Sequence, residues 1–132
     1  MNEQKQIRWK QRYQNFEKAF RVLDKTMQIE APSEIEIMAI IQAFELTFEL
    51  SWKMMKDYLE SEGFAPKSPR ETIKQAFQIE LFGDAHVWMD ALKDRNLTVH
   101  TYDEVFAQEM NDKIKNNYYP AIRDLYLKMK DK

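Results

Sequence analysis

Cysteine is absent from the 132-residue sequence, and glycine and proline are scarce, with two and four occurrences. The lack of cysteine excludes disulfides, thiolate metal sites and a cysteine nucleophile, and it agrees with a reducing compartment. No stretch approaches the roughly 18 consecutive apolar residues of a membrane span. Residues 1–12 are polar and lack the apolar core of a signal peptide. The sequence therefore predicts a cytoplasmic protein.

An excess of one charge is also missing, because 20 lysines and arginines face 22 aspartates and glutamates, for a net charge of −2. Such a surface has no general attraction for nucleic acid or anionic membranes. Any contact with RNA must then come from a local site. Hydrophobic residues make up 44% and aromatic residues 13%, which is enough for one core over residues 1–132. The aromatic share exceeds what a small bundle is expected to bury, which favours a homodimer interface.

Helical spacing dominates the N-terminal half. Apolar residues recur at steps of four and three from Trp9 to Met27, which predicts a first helix. Ser33 and Glu36 form a capping box that starts a second helix, and Gly63 ends it near Glu62. Scarce glycine and proline favour few turns, so we expect long helices with short connections.

The C-terminal half predicts three more helical segments. A short helix starts at the cap Ser68 and ends near Gly83, and Asp84 caps a fourth helix that reaches Val99. A last helix starts at Thr101 or Asp103 and is kinked or interrupted at Pro120, with a frayed tail over residues 128–132. The fold prediction is all-α: an antiparallel up-and-down four-helix bundle with an extra short helix.

Arg95, Asn96 and His100 are the strongest candidates for chemistry. Histidine moves protons near neutral pH, and arginine binds phosphate through two parallel hydrogen bonds. Together they can cleave RNA without a metal, with Asn96 one helical turn from His100 as an orienting group. The plainer interpretation is a helix terminus with a solvated arginine and a histidine near the negative end of the dipole.

The spacing of Arg95 and His100 poses a geometric problem. Five residues along a helix rotate by about 140°, so the two side chains do not meet on a regular helix. Either the helix ends before His100, or two copies of the chain contribute to one site. A two-fold axis near this segment would bring both pairs into one cleft.

Glu45 and Glu49 form a second candidate group with Trp52 and Lys53. Paired carboxylates can bind metal or transfer protons, but salt bridges from Glu49 and Glu45 to Lys53 or Arg95 are the more ordinary interpretation. A loose basic cluster near Gly63 can receive phosphate or an acidic partner, although a solvated face is the default. It comprises Lys53, Lys56, Lys67, Arg70 and Lys74.

Other site classes lack their signatures. The two histidines, His86 and His100, have no HExxH spacing or cysteine partner, so the prediction is no metal site. There is no glycine-rich phosphate loop, no GxSxG sequence and no nucleotidyltransferase motif with paired aspartates. We expect no cofactor, and the chain alone is not expected to catalyse nucleotidyl transfer.

Three segments carry a resemblance to a known family: residues 44–53 (FELTFELSWK), 68–74 (SPRETIK) and 94–102 (DRNLTVHTY). In this order they resemble the nucleotidyltransferase substrate-binding protein family of the HEPN superfamily. The similarity runs over about residues 13–119. The resemblance implies a HEPN-like four-helix bundle that forms homodimers and associates with a small nucleotidyltransferase of the minimal type.

The same resemblance implies roles for three residues. The superfamily motif R-x4–6-H marks metal-independent ribonucleases, often toxins, and here it corresponds to Arg95 and His100, with Asn96 as the polar residue after the arginine. In toxin–antitoxin members the motif extends to R-x4-H-x-Y, and the nucleotidyltransferase attaches AMP to that tyrosine, which Tyr102 matches. The alternative is a non-catalytic subunit that binds a substrate or nucleotide for the nucleotidyltransferase.

Overall fold

The computed structural model describes residues 3–98 and 103–132, and these residues form helices without strands. The predicted all-α fold is confirmed. Val99 and Thr101, where the sequence predicts a helix end and a possible cap, lie outside the described residues. The helices are α1 Glu3–Thr26, α2 Glu34–Ser61, α3 Pro69–Gln78, α4 Ala85–Thr98, α5 Glu104–Lys113 and α6 Tyr119–Lys130, with a π-helical turn, Ile114–Tyr118, between α5 and α6.

Four long helical segments make the antiparallel up-and-down bundle. The ring of Trp9, early in α1, lies 5.0 Å from that of Tyr58, late in α2. The ring of Phe20, late in α1, stacks on Tyr119 at the start of α6. Helices α1, α2, α4 and the α5–α6 segment surround one core, and the short α3 packs against α2 and α4. None of these described helices is long and apolar enough to cross a membrane.

The helix caps follow the sequence closely. Ser33 Oγ accepts from the Glu36 amide at 3.2 Å, and the Glu36 carboxylate accepts from the Ser33 amide at 2.8 Å, which completes the predicted capping box. Asp84 accepts from two amides at the start of α4. Asp103 accepts from the Phe106 amide at 3.0 Å and so caps α5. Each side chain satisfies amides that a helix start leaves without partners.

The end of α3 differs from the prediction. It ends at Gln78, five residues before Gly83. The Leu81 amide donates to the Ala76 carbonyl and the Glu80 amide to the Phe77 carbonyl, at 3.0 Å each. This Schellman arrangement needs one left-handed residue, and Glu80 supplies it with φ of 62°. Gly63, at φ of 95°, closes α2 with the same arrangement. Sequence patterns miss the α3 end because the position carries glutamate instead of glycine.

Pro120 interrupts the last helix as predicted, and the structure shows how. The amide of Tyr119 reaches back to the carbonyl of Ile114, five residues earlier, in the π turn directly before the proline. The sequence predicts a frayed tail over residues 128–132, and α6 continues into this segment as far as Lys130. Met129 is buried in the core, and the Lys128 ammonium donates to the Glu80 carbonyl at 2.6 Å. These contacts hold the last turn.

Candidate functional site

The candidate site lies at the C-terminal end of α4, where α4 runs beside α2. Trp88 and Ala91 are buried on the core side of α4, and the Trp88 ring lies 5.8 Å from the ring of Phe48 on α2. This packing fixes which side of α4 faces α2. Two turns after Trp88, Arg95 therefore reaches α2 across the surface of the bundle.

Arg95 is held by the carboxylate of Glu49. The guanidinium donates to Glu49 across the two helices, and a second terminal nitrogen donates to the Asn96 side chain at 3.2 Å. Glu49 also accepts an ion pair from Lys53, one turn later on α2, at 3.4 Å. The Arg95 side chain is 29% exposed and that of Glu49 24%. The arginine is thus oriented by two partners and still faces solvent with part of its fork.

A second polar contact joins the same two helices one turn further on. The Thr98 hydroxyl donates to Glu45 and lies 2.9 Å from the carbonyl oxygen of Arg95. On α2, Glu49 therefore accepts a hydrogen bond from Arg95, and Glu45 accepts one from Thr98. The salt-bridge interpretation of this acidic pair is confirmed for Glu49, whereas Glu45 bonds a hydroxyl instead of a cation. A groove of about 350 Å³ starts at Glu45 and Thr98 and continues along the N-terminal half of α2.

Asp94 is a polar residue of this region that the sequence analysis missed. It is buried, and its carboxylate accepts from the Tyr118 hydroxyl and lies 3.3 Å from the Lys113 ammonium. Burial, and next the bond to Asp94, raises the pKa of the Tyr118 hydroxyl above its ordinary value. One signal was available: Asp94 continues the buried stripe of Trp88 and Ala91, where a charge is unexpected.

The other predicted site residues differ in how close they lie to the cluster of polar contacts around Arg95 and Glu49. Trp52 is half-buried and packs against the core. Arg70 is exposed at the start of α3 and joins none of the cluster's hydrogen bonds or ion pairs among the described residues. His100 and Tyr102, the predicted proton-transfer and AMP-acceptor residues, lie outside the described residues. The structure therefore shows one half of the predicted motif, Arg95 with Asn96.

The sequence of this chain matches a known protein family. The family described as nucleotidyltransferase substrate binding protein like matches residues 11–131, nearly the whole chain. The chain belongs to this family. Membership confirms the resemblance carried by the three sequence segments and, with it, the link to the HEPN superfamily.

Two proteins similar to this family member bear on fold and activity. A protein of Haemophilus influenzae named "Probable ribonuclease HepT" is 33% identical over 92 residues, which cover 62% of this chain and 63% of that protein. The match thus spans less than two thirds of the relative. A solved structure from Thermus thermophilus is 36% identical, with a TM-score of 0.77, and the match covers 83% of this chain and 94% of that chain. The bundle therefore also occurs in a solved protein of similar sequence.

Proposed function

We propose that this protein is the HEPN-type subunit of a two-component system with a small nucleotidyltransferase, and that it carries a metal-independent endoribonuclease site. The observation that carries the proposal is Arg95, fixed at the end of α4 by Glu49 and Asn96 in a chain of this family. The ribonuclease name of the Haemophilus relative supports it. Cytoplasmic location is part of the same proposal.

The reaction assigned to the site is an internal transesterification of RNA. The 2′-oxygen attacks the neighbouring phosphorus, the bond from phosphorus to the 5′-oxygen breaks, and the products are a 2′,3′-cyclic phosphate and a free 5′-hydroxyl. His100 takes the 2′-hydroxyl proton or gives a proton to the leaving oxygen. Arg95 stabilises the charge that develops on the phosphate. In the sequence, His100 follows Thr98, the last residue of α4, by two positions.

Glu49 prepares the arginine for this role. An arginine offers five N–H donors, and Glu49 and Asn96 engage only part of them. The Nε–H of Arg95 is buried and has no acceptor among the residues that the structure describes. A phosphate that enters from the exposed side therefore meets an arginine that is already oriented, which lowers the cost of ordering it. Lys53 offsets part of the Glu49 charge that would repel the phosphate.

We assign the dimer interface to an apolar surface beside this site. Of the large hydrophobic residues that are exposed in the described structure, five lie on the N-terminal half of α2, the end of α4 and the start of α5: Ile35, Met38, Leu46, Leu97 and Val105. An exposed cluster of this kind is typical of an interface. The α2 groove connects the surface to Glu45 and Thr98. A second copy packed here places two Arg95–His100 segments in one cleft, which resolves the mismatch of about 140°.

The nucleotidyltransferase partner is assigned the role of silencing the site. The Tyr102 hydroxyl attacks the α-phosphorus of ATP, loses its proton, and releases pyrophosphate as AMP is attached. The attached phosphate occupies donors of Arg95, and the bulk of the nucleotide blocks an RNA strand. No refolding is needed. We place the partner's contacts on residues beside the site, with Lys53 and the half-buried Trp52 nearest and the exposed Arg70, at the start of α3, further away.

The second candidate function is a non-catalytic subunit that binds a substrate or nucleotide for the nucleotidyltransferase. The description of the family as substrate binding favours it. In that case Arg95 and Lys53 would hold the phosphates of a bound nucleotide without proton transfer. Direct binding of ATP to a chain that never cleaves RNA distinguishes this function from the first.

Expression in bacteria separates the two functions. Wild type alone is expected to arrest growth, and co-expression with its partner nucleotidyltransferase is expected to restore growth. His100→Ala alone should not arrest growth. His86→Ala, which changes the other histidine, an exposed residue on α4, should behave like wild type. Normal growth with soluble wild-type protein would instead support the binding subunit.

A further inference from the structure

Asp94 has an unusual position for a carboxylate. It is 6% exposed and lies in the last turns of α4, where the negative end of the helix dipole disfavours a negative charge. Burying a charge is costly unless it has close partners. Asp94 has two, the Tyr118 hydroxyl and the Lys113 ammonium. Packing alone would be served by an apolar residue at this position, so the carboxylate must contribute something that packing does not.

Asp94 and Arg95 are neighbours in sequence that bond to different sides of the bundle. Successive helical residues point about 100° apart. Arg95 donates to Glu49 on α2, whereas Asp94 accepts from Tyr118 in the π turn. The end of α4 is therefore held from two directions, and this pair of bonds opposes rotation of the helix about its axis. The bonds from Arg95 to Glu49 and from Thr98 to Glu45 both run to α2, so the bond to Tyr118 is the one that holds the last turns of α4 from the other direction.

Tyr118 is itself fixed. Its ring stacks on Phe44 of α2 at 5.4 Å with an angle of 21° between the planes, and its side chain is buried. Phe44 directly precedes Glu45, which accepts from Thr98. The π turn, which is a geometry found often at functional sites, presents the hydroxyl to Asp94. One rigid unit thus links the π turn, α2 and the end of α4.

We propose that Asp94 and Tyr118 are positioning residues, which act through Arg95 by fixing the rotation of the last turn of α4. The inference rests on the proposed ribonuclease function and adds two residues to its site. A misplacement of about 1 Å at a reacting group can cost on the order of a hundredfold in rate. Losing the hydroxyl should therefore affect the chemical step while the fold and the RNA contacts remain.

The test compares two matched tyrosines. Tyr118→Phe removes the hydroxyl bonded to Asp94. Tyr126→Phe is the control, because Tyr126 is also buried, stacks on Phe20 at 4.5 Å and donates to a carboxylate, Glu17, at 2.6 Å, but on the side where α6 meets α1. Tyr118→Phe should lower kcat about ten- to a hundredfold with KM within about twofold. Tyr126→Phe should cleave RNA like wild type.

Asp94 is tested by its conservative variant. Asp94→Asn keeps an oxygen that accepts from Tyr118, so its kcat should lie between those of wild type and Asp94→Ala. Circular dichroism melting of each variant shows whether the bundle still folds. If Asp94→Asn and Asp94→Ala lose activity equally while both remain folded, the acceptor for Tyr118 is not what matters, and the proposal is wrong.

A readout independent of activity separates this inference from the ribonuclease function. The Nε–H of Arg95 is buried, so its proton should exchange slowly and give a resolved NMR signal, assigned by its loss in Arg95→Lys. Tyr118→Phe should shift this signal and speed its exchange with water, and Tyr126→Phe should do neither. If wild type cleaves no RNA, the ribonuclease function fails but the shift still tests the positioning. An unchanged signal and unchanged kcat in Tyr118→Phe would overturn the inference.

Discussion

Replacing Arg95 with alanine separates stability from chemistry at this site. The substitution removes the guanidinium that bonds Glu49, but Glu49 keeps the ion pair with Lys53 at 3.4 Å. The carboxylate is therefore not left buried and unpaired, which is the costly outcome for an ion pair. Both partners are partly exposed, so solvent screens the lost attraction. A hydrogen bond to a charged group contributes about 1.5–3 kcal/mol; reduced for this screening, the expected loss in the free energy of unfolding is about 1–2 kcal/mol.

This loss converts into a modest change in melting temperature. Unfolding entropy near the midpoint is about 2.1 cal/mol/K per residue, or roughly 0.28 kcal/mol/K over a chain of this size. The melting temperature of Arg95→Ala should then fall by about 4–7 °C. The cleavage rate should fall far more, by about 10²–10³, because the group that stabilises charge on the phosphate is gone.

Arg12→Ala is the control for this prediction, and it should cost more stability than Arg95→Ala, because it takes the arginine from the buried carboxylate of Asp57. Arg12 on α1 pairs with Asp57 on α2 at 2.9 Å, and the arginine is partly exposed, as Arg95 is. Its loss should destabilise the bundle measurably without affecting cleavage. Differential scanning calorimetry and a fluorescent RNA substrate give both quantities. The reasoning fails if Arg95→Ala cleaves RNA at the wild-type rate, or if both variants lose activity in proportion to stability.

The dimer surface, the modified tyrosine and the buried phenols each give a further prediction. Leu46→Glu places a charge on the proposed dimer surface, so it should shift the protein from dimer to monomer in sedimentation velocity, whereas Leu127→Glu, on the exposed side of α6, should leave the dimer intact. Incubation with ATP and an active partner should add an AMP mass to Tyr102 and not to Tyr102→Phe, and a modification that persists in that variant would rule out this acceptor. Burial raises the pKa of Tyr13 and Tyr118 above the ordinary value of 10.0, so the fold favours the neutral phenols. The stabilisation that the two neutral phenols give the fold is complete below pH 10.0 and should fall as the pH rises above it. Tyr118→Phe should therefore lose less stability at alkaline pH than wild type.

Much of the fold could be predicted from local chemistry. The capping box at Ser33 and the glycine at position 63 predict the two ends of α2. Each provides hydrogen-bond partners for helix-end backbone groups through residues nearby in the sequence. The end of α3 could not be predicted in this way, because Glu80 takes the left-handed conformation usually reserved for glycine. The residue after Glu80, Leu81, is buried in the core. This tertiary contact goes with the turn at the end of α3, and local sequence patterns do not reveal it.

The site was predictable in part for the same reason. Arg95 and Glu49 were found because both belong to recognisable patterns, and their pairing was one of two stated possibilities. Asp94 and Tyr118 were not found, because the two residues are 24 positions apart and meet only when the π turn packs against α4. Tyr118 belongs to no short motif, and Asp94 begins the segment 94–102 but has no role in its R-x4-H pattern. Their contact is a product of helix packing, which single-sequence patterns do not specify.

Metal-free cleavage of RNA by wild type and His100→Ala tests the central claim most directly. With excess EDTA, wild type should cut RNA and leave 2′,3′-cyclic phosphate and 5′-hydroxyl ends, and His100→Ala should be slower by about 10²–10⁴, the usual cost of losing a proton-transfer group. Products with other termini, inhibition of wild type by EDTA, or equal rates for the two proteins would contradict the account.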